Sequence, residues 1–386
     1  MYLTVVPKKF KREKERDFNL VVNTIYNQGV DKLMTNYQEY SHNYLPTWTR
    51  HIEDTTAESP RHLDSMNQSL DLLSERCVAF MNSIGGDTST QYEHFAIPKH
   101  SGGLRHISAP NAEIKELQSI IVDFFRWRTR SLEHQCAYAY VRGRCTKDAL
   151  ITHQHNDARW FLKLDLKDFF PSCTKPFIMK QLIQLYPLNF LDETKLGQVI
   201  DVCLLDGGLP QGAPTSPIIT NLIMLPIDFH LNKRMYNFKK SRYTYTRYAD
   251  DLLISNQYNF KYTDVVAMIK EVLHEQGATF QINDTKTRYG SASGRNWNLG
   301  LMFTNKGNIT VGHKRKRRVK SMLSNFFRDN TGSDATWSKE DTQILLGEVA
   351  YIKQIEPDYP LVEAFESKWN IKLSALAKPI LRSEEV

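Results

Sequence analysis

The sequence has few cysteines and no long apolar run. Its 386 residues include five cysteines, an odd number without the paired spacing of a zinc site or a disulfide framework. His153 and His155 have no further Cys or His nearby in the sequence, so we expect them at the surface. No run approaches the roughly 18 apolar residues of a membrane span, and the first residues lack the apolar core of a secretory signal. We therefore expect no membrane contact and a reducing, cytoplasmic location.

The excess of positive charge is small. Lys and Arg number 50 against 43 Asp and Glu, a formal net charge of +7. Such an excess suggests a polyanionic partner without identifying it, because many enzymes share it. The basic residues are concentrated in residues 8–16 and in residues 313–318, and the second run is followed by apolar residues at helical spacing. A solvated helix end is the usual meaning of such a run.

An acidic turn between two strand-like runs is the most informative pattern. Residues 248–251, Tyr-Ala-Asp-Asp, lie between two apolar or β-branched runs that predict a β-hairpin. Its tip would carry the adjacent carboxylates of Asp250 and Asp251, and their pKa values would rise unless a cation lay between them. An ordinary solvated turn is the alternative, because Asp is common in turns.

A third carboxylate lies in a second predicted strand. Trp160, Leu162, Leu164 and Leu166 alternate, which predicts one buried strand face with Asp165 on the other face. Carboxylates from neighbouring strands can hold two Mg²⁺ ions about 4 Å apart for phosphoryl transfer. Mg²⁺ leaves its remaining positions to water and substrate phosphates. The residues that we expect at this metal site, with Mn²⁺ as a substitute ion, are Asp165, Leu166, Asp250 and Asp251.

These motifs and four others, in the same order, resemble those of reverse transcriptases over about residues 94–304. The four are the Gln-Gly motif in residues 209–217, the lysine-bearing motif in residues 283–286, the primer-grip hairpin in residues 298–302 and the fingers hairpin in residues 95–110. The resemblance implies an α+β, right-hand polymerase fold with fingers, a palm built on an antiparallel sheet flanked by helices, and a helical thumb. It implies a nucleotidyltransferase that makes DNA from an RNA template and dNTPs.

The resemblance also implies roles for single residues. Asp165, Asp250 and Asp251 would be catalytic, and Lys286 would protonate the leaving pyrophosphate.

Two further pairs would bind the nucleotide. Lys99 and Arg105, facing each other across the fingers hairpin, would clamp the triphosphate, although this pair alone fits a solvated hairpin face. Gln211 and Gly212 would line the nucleotide pocket, in a loop that opens a helix near Pro217.

Phe170 is the residue expected to select the sugar. In related polymerases that make RNA, a polar group near this position accepts the ribose 2′-hydroxyl. A Phe ring would leave that hydroxyl unpaired, at a cost of roughly 1 to 3 kcal/mol. The resemblance therefore implies deoxynucleotide substrates, with Phe170 as the steric gate and Phe169 in the core.

Three parts are expected along the chain: a basic, partly helical extension over residues 1–58, fingers and palm over residues 59–304, and a thumb over residues 305–386. Helix signals begin at Pro60, end at Gly85, and recur over residues 114–125. No further nuclease or protease module is expected. The second basic run is interpreted as one face of a thumb helix against a phosphate backbone. The residues expected to bind nucleic acid there are Lys314, Arg315, Lys316, Arg317 and Arg318.

Length, layout and residues 347–357 are similar to retron and other bacterial stand-alone reverse transcriptases. Asp148 and His153 depart from the Asn-Ala-X-X-His motif of retron enzymes. The wider group of phage-defence enzymes fits best, which implies antiviral defence with a dedicated non-coding RNA as template. A partner effector protein or a homo-oligomer stays open. Template-independent or protein-primed synthesis on the same palm also stays open. An RNA-binding scaffold with a vestigial site is a further alternative, although intact paired carboxylates argue against it.

Overall fold

A computed structural model of the protein describes residues 60–98, 102–128, 132–236, 238–293, 295–331 and 337–382. The expected N-terminal extension, Lys99 and the loop at residues 332–334 lie outside the described residues. The helices are α1 (Pro60–Ser83), α2 (Ala112–Arg128), α3 (Thr146–His155), α4 (Lys175–Leu182), α5 (Glu193–Asp201), α6 (Ser216–Met235), α7 (Tyr262–Glu275), α8 (His313–Asn330), α9 (Lys339–Ile355), α10 (Glu363–Trp369) and α11 (Leu373–Arg382). The strands are β1 (Tyr92–Pro98), β2 (Leu104–Pro110), β3 (Trp160–Lys167), β4 (Thr244–Tyr248), β5 (Asp251–Asn256), β6 (Gln281–Ile282), β7 (Arg288–Ser291), β8 (Asn296–Asn298), β9 (Leu301–Phe303) and β10 (Ile309–Thr310). These helices and antiparallel strands confirm the α+β prediction.

A five-stranded antiparallel sheet is built around β3. β5 pairs along one side of β3, and β4 pairs with β5. On the other side, β7 pairs with the first half of β3 and β6 with its last two residues. β3 and the β4–β5 hairpin were both predicted from the sequence, and both are confirmed.

The prediction that β3 has one buried face is wrong. Phe161 is fully buried, although it lies on the opposite face from Leu162. Its ring stacks on Trp297 of β8, with ring centroids 5.1 Å apart. Strands and helices from the C-terminal part of the chain cover this second face. Asp165 is therefore an acidic residue on a strand that is covered on both sides.

A large hydrophobic core lies against the Leu162 face of the sheet. α1 and α2 were predicted from apolar spacing and contribute to this core, α1 through Met66 and Leu70, α2 through Ile114 and Ile121. α6 is buried along most of its length. Its buried residues include the polar Asn221 and Asp228.

A second core joins the other face of the sheet to the C-terminal helices. It contains Phe161 and Leu253 of the sheet, Trp297, and apolar residues of α8, α9 and α11. β8, β9 and β10 form a three-stranded sheet beside it, which extends to both sides of the expected boundary at residue 304. All five cysteines carry free thiols. In the described part of the chain no helix is long and apolar enough to cross a membrane.

β1 and β2 form the predicted fingers hairpin. The register pairs Pro98 with Leu104. Arg105 consequently lies opposite Ile97, and the prediction that it faces Lys99 is wrong. Lys99 itself is outside the described residues.

Candidate active site

The three acidic residues predicted from the sequence meet at one end of the central sheet. Asp251 is the first residue of β5 and lies directly opposite Asp165 of β3. Asp250 lies in the two-residue turn before it, where Ala249 has the positive φ, +55°, that such tight hairpins require. The N–H of Leu166 donates to the carbonyl of Asp250 at 3.0 Å. β3 and the turn are therefore joined by a main-chain hydrogen bond at the acidic cluster.

Two lysines neutralise two of the three carboxylates. Lys286 Nζ lies 2.8 Å from Oδ1 of Asp165 and 3.1 Å from Oδ2. Lys163, two residues before Asp165 on β3, donates to Oδ2 of Asp251 at 2.7 Å. Asp250 forms no ion pair with any residue that the structure describes. The cluster therefore keeps one carboxylate without a direct counter-charge.

Burial and repulsion raise the pKa of Asp250. Loss of hydration is the largest cause, repulsion by Asp251 comes next, and the pKa of Asp250 rises to about 6. Burial also raises the pKa of Asp251, although Lys163 opposes that change. The hydrogen bond to Asp165 raises the pKa of Lys286, which keeps this lysine charged at neutral pH. Acids that are perturbed in this way are typical of functional sites.

The donor set fits Mg²⁺. This ion prefers oxygen ligands and is commonly held by one or two carboxylates, with water and substrate phosphates in its other positions. Asp165 and Asp250 supply such oxygens, and the repulsion around Asp250 would fall when a cation binds. In the described ranges, no three His, Cys, Asp or Glu side chains converge as a ready ion site. That agrees with Lys286 and Lys163 holding two of the carboxylates in their own ion pairs.

The expected gate residue is hydrogen-bonded to the Gln-Gly loop. Phe169 is buried and packs against Phe280, with ring centroids 5.1 Å apart. Phe170 is half-buried. Its carbonyl accepts a hydrogen bond from the N–H of Leu209 at 3.1 Å, where the loop of residues 209–217 begins. Phe169 therefore has the core position expected of it, and Phe170, five residues after Asp165, is hydrogen-bonded to the start of the loop.

Gly212 allows the fingers hairpin to contact this loop closely. The N–H of Ser108 donates to the carbonyl of Gln211 at 2.9 Å. Gly212 has φ +135°, and a Cβ there would lie 2.6 Å from the carbonyl oxygen of Ser108 and 3.1 Å from Cγ2 of Ile107. Only glycine permits both the backbone conformation and the contact. Arg105 lies on β2, the strand that makes this contact.

The prediction that residues 314–318 form one cationic face is wrong. They are consecutive residues of α8, and consecutive helical residues point in different directions. Arg315 and Arg318 both pair with Glu348 of α9, and Lys316 pairs with Glu356 at 2.5 Å. Three of the five cations are thus bound within the protein.

Lys314 and Arg317 form the outward part of the basic run. Both are exposed and have no acidic partner among the described residues. Lys320, three residues after Arg317, is also exposed, with its Nζ 5.4 Å from the centroid of the Tyr359 ring. Residues three apart share one side of a helix. A narrower basic surface therefore remains on α8, made of Lys314, Arg317 and Lys320.

The expected surface position of His153 is also wrong. His153 is fully buried on α3, with Nδ1 2.5 Å from Oγ of Ser255 and Nε2 2.8 Å from Oγ1 of Thr246. Burial lowers the pKa of His153 to about 3, so the ring is neutral. Two hydroxyl partners allow this burial because they satisfy both ring nitrogens. His155 is exposed, as predicted.

Three residues near the cluster were not singled out from the sequence. Lys163 pairs with Asp251, and Arg247, the second residue before Ala249, forms a buried ion pair with Asp228. Tyr140 is half-exposed and has φ +61°. Burial raises the pKa of Tyr140, and the charge of Asp250 raises it further. A sequence signal did exist for both cations, since each interrupts an otherwise apolar strand-like run.

The chain is similar to known proteins over the region that contains the acidic cluster. The model of a family described as reverse transcriptase (RNA-dependent DNA polymerase) matches residues 97–320. The Retron Ec73 reverse transcriptase of Escherichia coli is 29% identical over 269 residues, 68% of this chain and 83% of that protein. The Retron Mx65 reverse transcriptase of Myxococcus xanthus is 32% identical over 289 residues, 69% of this chain and 62% of that protein. Among solved structures, apo telomerase from Candida Tropicalis is 13% identical, with a TM-score of 0.44, over 73% of this chain and 59% of the other.

Proposed function

The chain belongs to the reverse transcriptase family and is an RNA-directed DNA polymerase, and on that premise we propose that its nucleotidyl transfer takes place at the end of β3 and the β4–β5 turn. One observation carries this assignment. Asp165 lies opposite Asp251, and Asp250, in the adjoining turn, is half-buried with no ion pair among the described residues. Buried acids that repel one another destabilise a fold, so a cluster of this kind is expected where a bound cation is needed.

Asp165 and Asp250 would hold two Mg²⁺ ions, with Asp251 alongside. When bound, such ions polarise the attacking hydroxyl and stabilise charge on the leaving oxygen. Asp251 differs from the other two, because Lys163 already occupies one of its oxygens at 2.7 Å. We therefore assign ligation chiefly to Asp165 and Asp250, and Leu166 would contribute no more than its main chain.

Lys286 is proposed as the proton donor to the leaving pyrophosphate. It is charged at neutral pH because its hydrogen bond to Asp165 raises its pKa. A cation on Asp165 would compete with this ion pair and release the ammonium group toward the substrate. Proton transfer from a positioned side chain accelerates such reactions by typically 10²–10⁴-fold.

The nucleotide pocket is proposed to lie among the fingers hairpin, the Gln-Gly loop and Phe170. Arg105 would bind the triphosphate with its planar fork, together with Lys99. Gln211 and Gly212 would line the pocket, and the contact between Gly212 and Ser108 holds the loop against β2. Phe170 would exclude the 2′-hydroxyl, which gives the preference for deoxynucleotides.

A dedicated non-coding RNA is proposed as the template, with DNA as the product. The support is the similarity to retron reverse transcriptases of Escherichia coli and Myxococcus xanthus. A role in phage defence is proposed on the same similarity. Lys314, Arg317 and Lys320 would contact the phosphate backbone of the nucleic acid, since these cations of α8 face outward without acidic partners in the described part of the chain.

Primer extension with purified protein tests the assignment. The wild-type protein is given Mg²⁺, dNTPs, a DNA primer and an RNA template of defined sequence, with a parallel reaction that lacks template. We expect products whose sequence follows the template, and none from Asp250→Asn. Asp157→Asn is the matched control, an exposed acid after α3, and should extend normally. Extension by Asp250→Asn would refute the site, and equal extension without template would indicate a terminal transferase.

A further inference from the structure

A buried ion pair lies next to the β4–β5 turn, which contains Ala249 and Asp250. Arg247 of β4 and Asp228 of α6 are 1% and 0% exposed at their side chains. Nε of Arg247 donates to both oxygens of Asp228 at 3.0 Å, and Nη2 donates at 2.8 Å. Tyr245 adds its hydroxyl to the same carboxylate at 2.8 Å. The carboxylate of Asp228 is thus fully paired and hydrogen-bonded inside the protein.

The remaining donors of Arg247 connect this pair to the turn. Nη1 donates to the carbonyl of Ala249 at 3.3 Å, and Nη2 also reaches Oδ1 of Asn221 at 3.2 Å. Ala249 is the residue with φ +55°, and its carbonyl belongs to the peptide that leads into Asp250. The next carbonyl, that of Asp250, accepts from the N–H of Leu166. Both peptide groups that flank the Asp250 side chain are therefore hydrogen-bonded.

Stability alone gives little reason for this arrangement. Burying two charges costs several kcal/mol of hydration per ion, and apolar residues of similar volume often serve a core equally well or better. What apolar residues cannot do is donate a hydrogen bond to Ala249 while bound to α6. The planar fork of arginine can do both at once, whereas a lysine ammonium group is a single point of contact.

We propose that Arg247 is a positioning residue for catalysis. Its guanidinium group, which is held by Asp228, fixes the peptide between Ala249 and Asp250. It thereby orients the carboxylate of Asp250 toward the site beside Asp165. This inference rests on the proposed function of Asp250. Groups that orient a metal ligand typically change metal affinity or activity by about 10–100-fold when they are removed.

The test uses Arg247→Lys, which keeps the charge inside the protein and loses the fork. Three quantities are measured: the Kd for Mn²⁺ by calorimetry without nucleic acid, the kcat and KM for a single dNTP, and the unfolding temperature. We expect Mn²⁺ to bind about 10-fold more weakly or worse, and kcat to fall by a similar factor with KM little changed. Leu70→Ala, a cavity in α1 away from the turn, is the control for lost stability.

A second variant removes both buried charges, in case lysine is not tolerated. Arg247→Met with Asp228→Leu leaves no unpaired ion in the core, so we expect it to fold and to show the same weak Mn²⁺ binding. The proposal would be overturned if a folded variant kept the Mn²⁺ affinity and the kcat of the wild type. It would also be overturned if Leu70→Ala, at an equal unfolding temperature, lost as much Mn²⁺ affinity and kcat as the Arg247 variant. If the wild-type protein failed to extend primers, the proposed function would fail, whereas Mn²⁺ binding would still test the role of Arg247.

Discussion

The acidic turn and the first turns of α8 both carry many charges of one sign, and they differ in how far neighbouring residues compensate these charges. At the turn, Asp250 is half-buried beside Asp251 and Asp165, and the loss of hydration with repulsion from Asp251 raises its pKa to about 6. On α8, Glu348 of α9 and Glu356, the residue that follows α9, neutralise three of the five cations in residues 314–318. Like charges that are gathered at the expense of stability indicate a site, whereas opposite charges that are paired between packed helices indicate structure.

Apart from the carboxylates themselves, the largest effect is expected at Lys286. Replacing Lys286 by Met removes the proposed proton donor, so single-nucleotide incorporation should slow by about 100-fold or more, and its pH dependence should change on the alkaline side. Lys163→Met is the matched control, because it also removes a lysine from one of the carboxylates. Pre-steady-state incorporation measures both. Equal losses in the two variants would mean that Lys286 is a counter-charge and not an acid.

The next effect concerns the sugar. Phe170→Val should let ribonucleotides compete, lowering discrimination by about 10-fold or more, because the 2′-hydroxyl would no longer be buried without a partner. The ratio of kcat/KM for a dNTP and its matching NTP measures this. Phe169→Val should reduce the unfolding temperature and leave the ratio unchanged, since Phe169 is a core residue. Unchanged discrimination in Phe170→Val would move the gate elsewhere.

On α8, outward and paired cations should behave differently. Replacing Lys314 and Arg317 by Ala should reduce the salt slope of nucleic-acid binding by roughly two units, because each lost phosphate contact removes about one. It should also shorten extension products more than it slows single-nucleotide addition. Replacing Arg315 and Lys316 by Ala should affect the slope less and the unfolding temperature more. Equal slopes in both variants would remove the distinction between outward and paired cations.

A smaller effect is expected in the pH dependence of stability. The folded protein binds a proton at Asp250 with a pKa of about 6, above the ordinary 3.8, so protonation favours the folded state. The free energy of unfolding without metal should therefore rise as the pH falls from 7 toward 4, by at most about 3 kcal/mol from this group. Urea unfolding of wild type and Asp250→Asn measures the difference. A pH dependence that is identical in both would contradict the pKa shift.

Local patterns in the sequence were sufficient for much of the fold. Alternation predicted β3, and the acidic turn predicted the β4–β5 hairpin, because both depend on neighbouring residues only. The second buried face of β3 was missed, since Phe161 is covered by Trp297, which lies far along the chain. Burial of His153 was missed for the same reason, because its hydroxyl partners come from β4 and β5.

The candidate site was predictable for its carboxylates and less so for their surroundings. Asp165, Asp250 and Lys286 belong to motifs that can be read along the chain, and the structure brings them together. The partners of charged residues cannot be read in that way. Nothing local indicates that Arg315 binds Glu348, or that Arg247 binds Asp228 on α6. Such pairs depend on which helices pack together, which sequence spacing does not specify.

Single-nucleotide incorporation by Asp165→Asn and Glu348→Gln, measured side by side on an RNA template, tests the central claim most directly. Both changes remove one carboxylate charge of a lysine or arginine ion pair. Asp165→Asn should show no measurable incorporation, with an unfolding temperature equal to or above that of the wild type. Glu348→Gln should incorporate at close to the wild-type rate and unfold at a lower temperature. Substantial incorporation by Asp165→Asn, or an equal loss of activity in Glu348→Gln, would contradict the account.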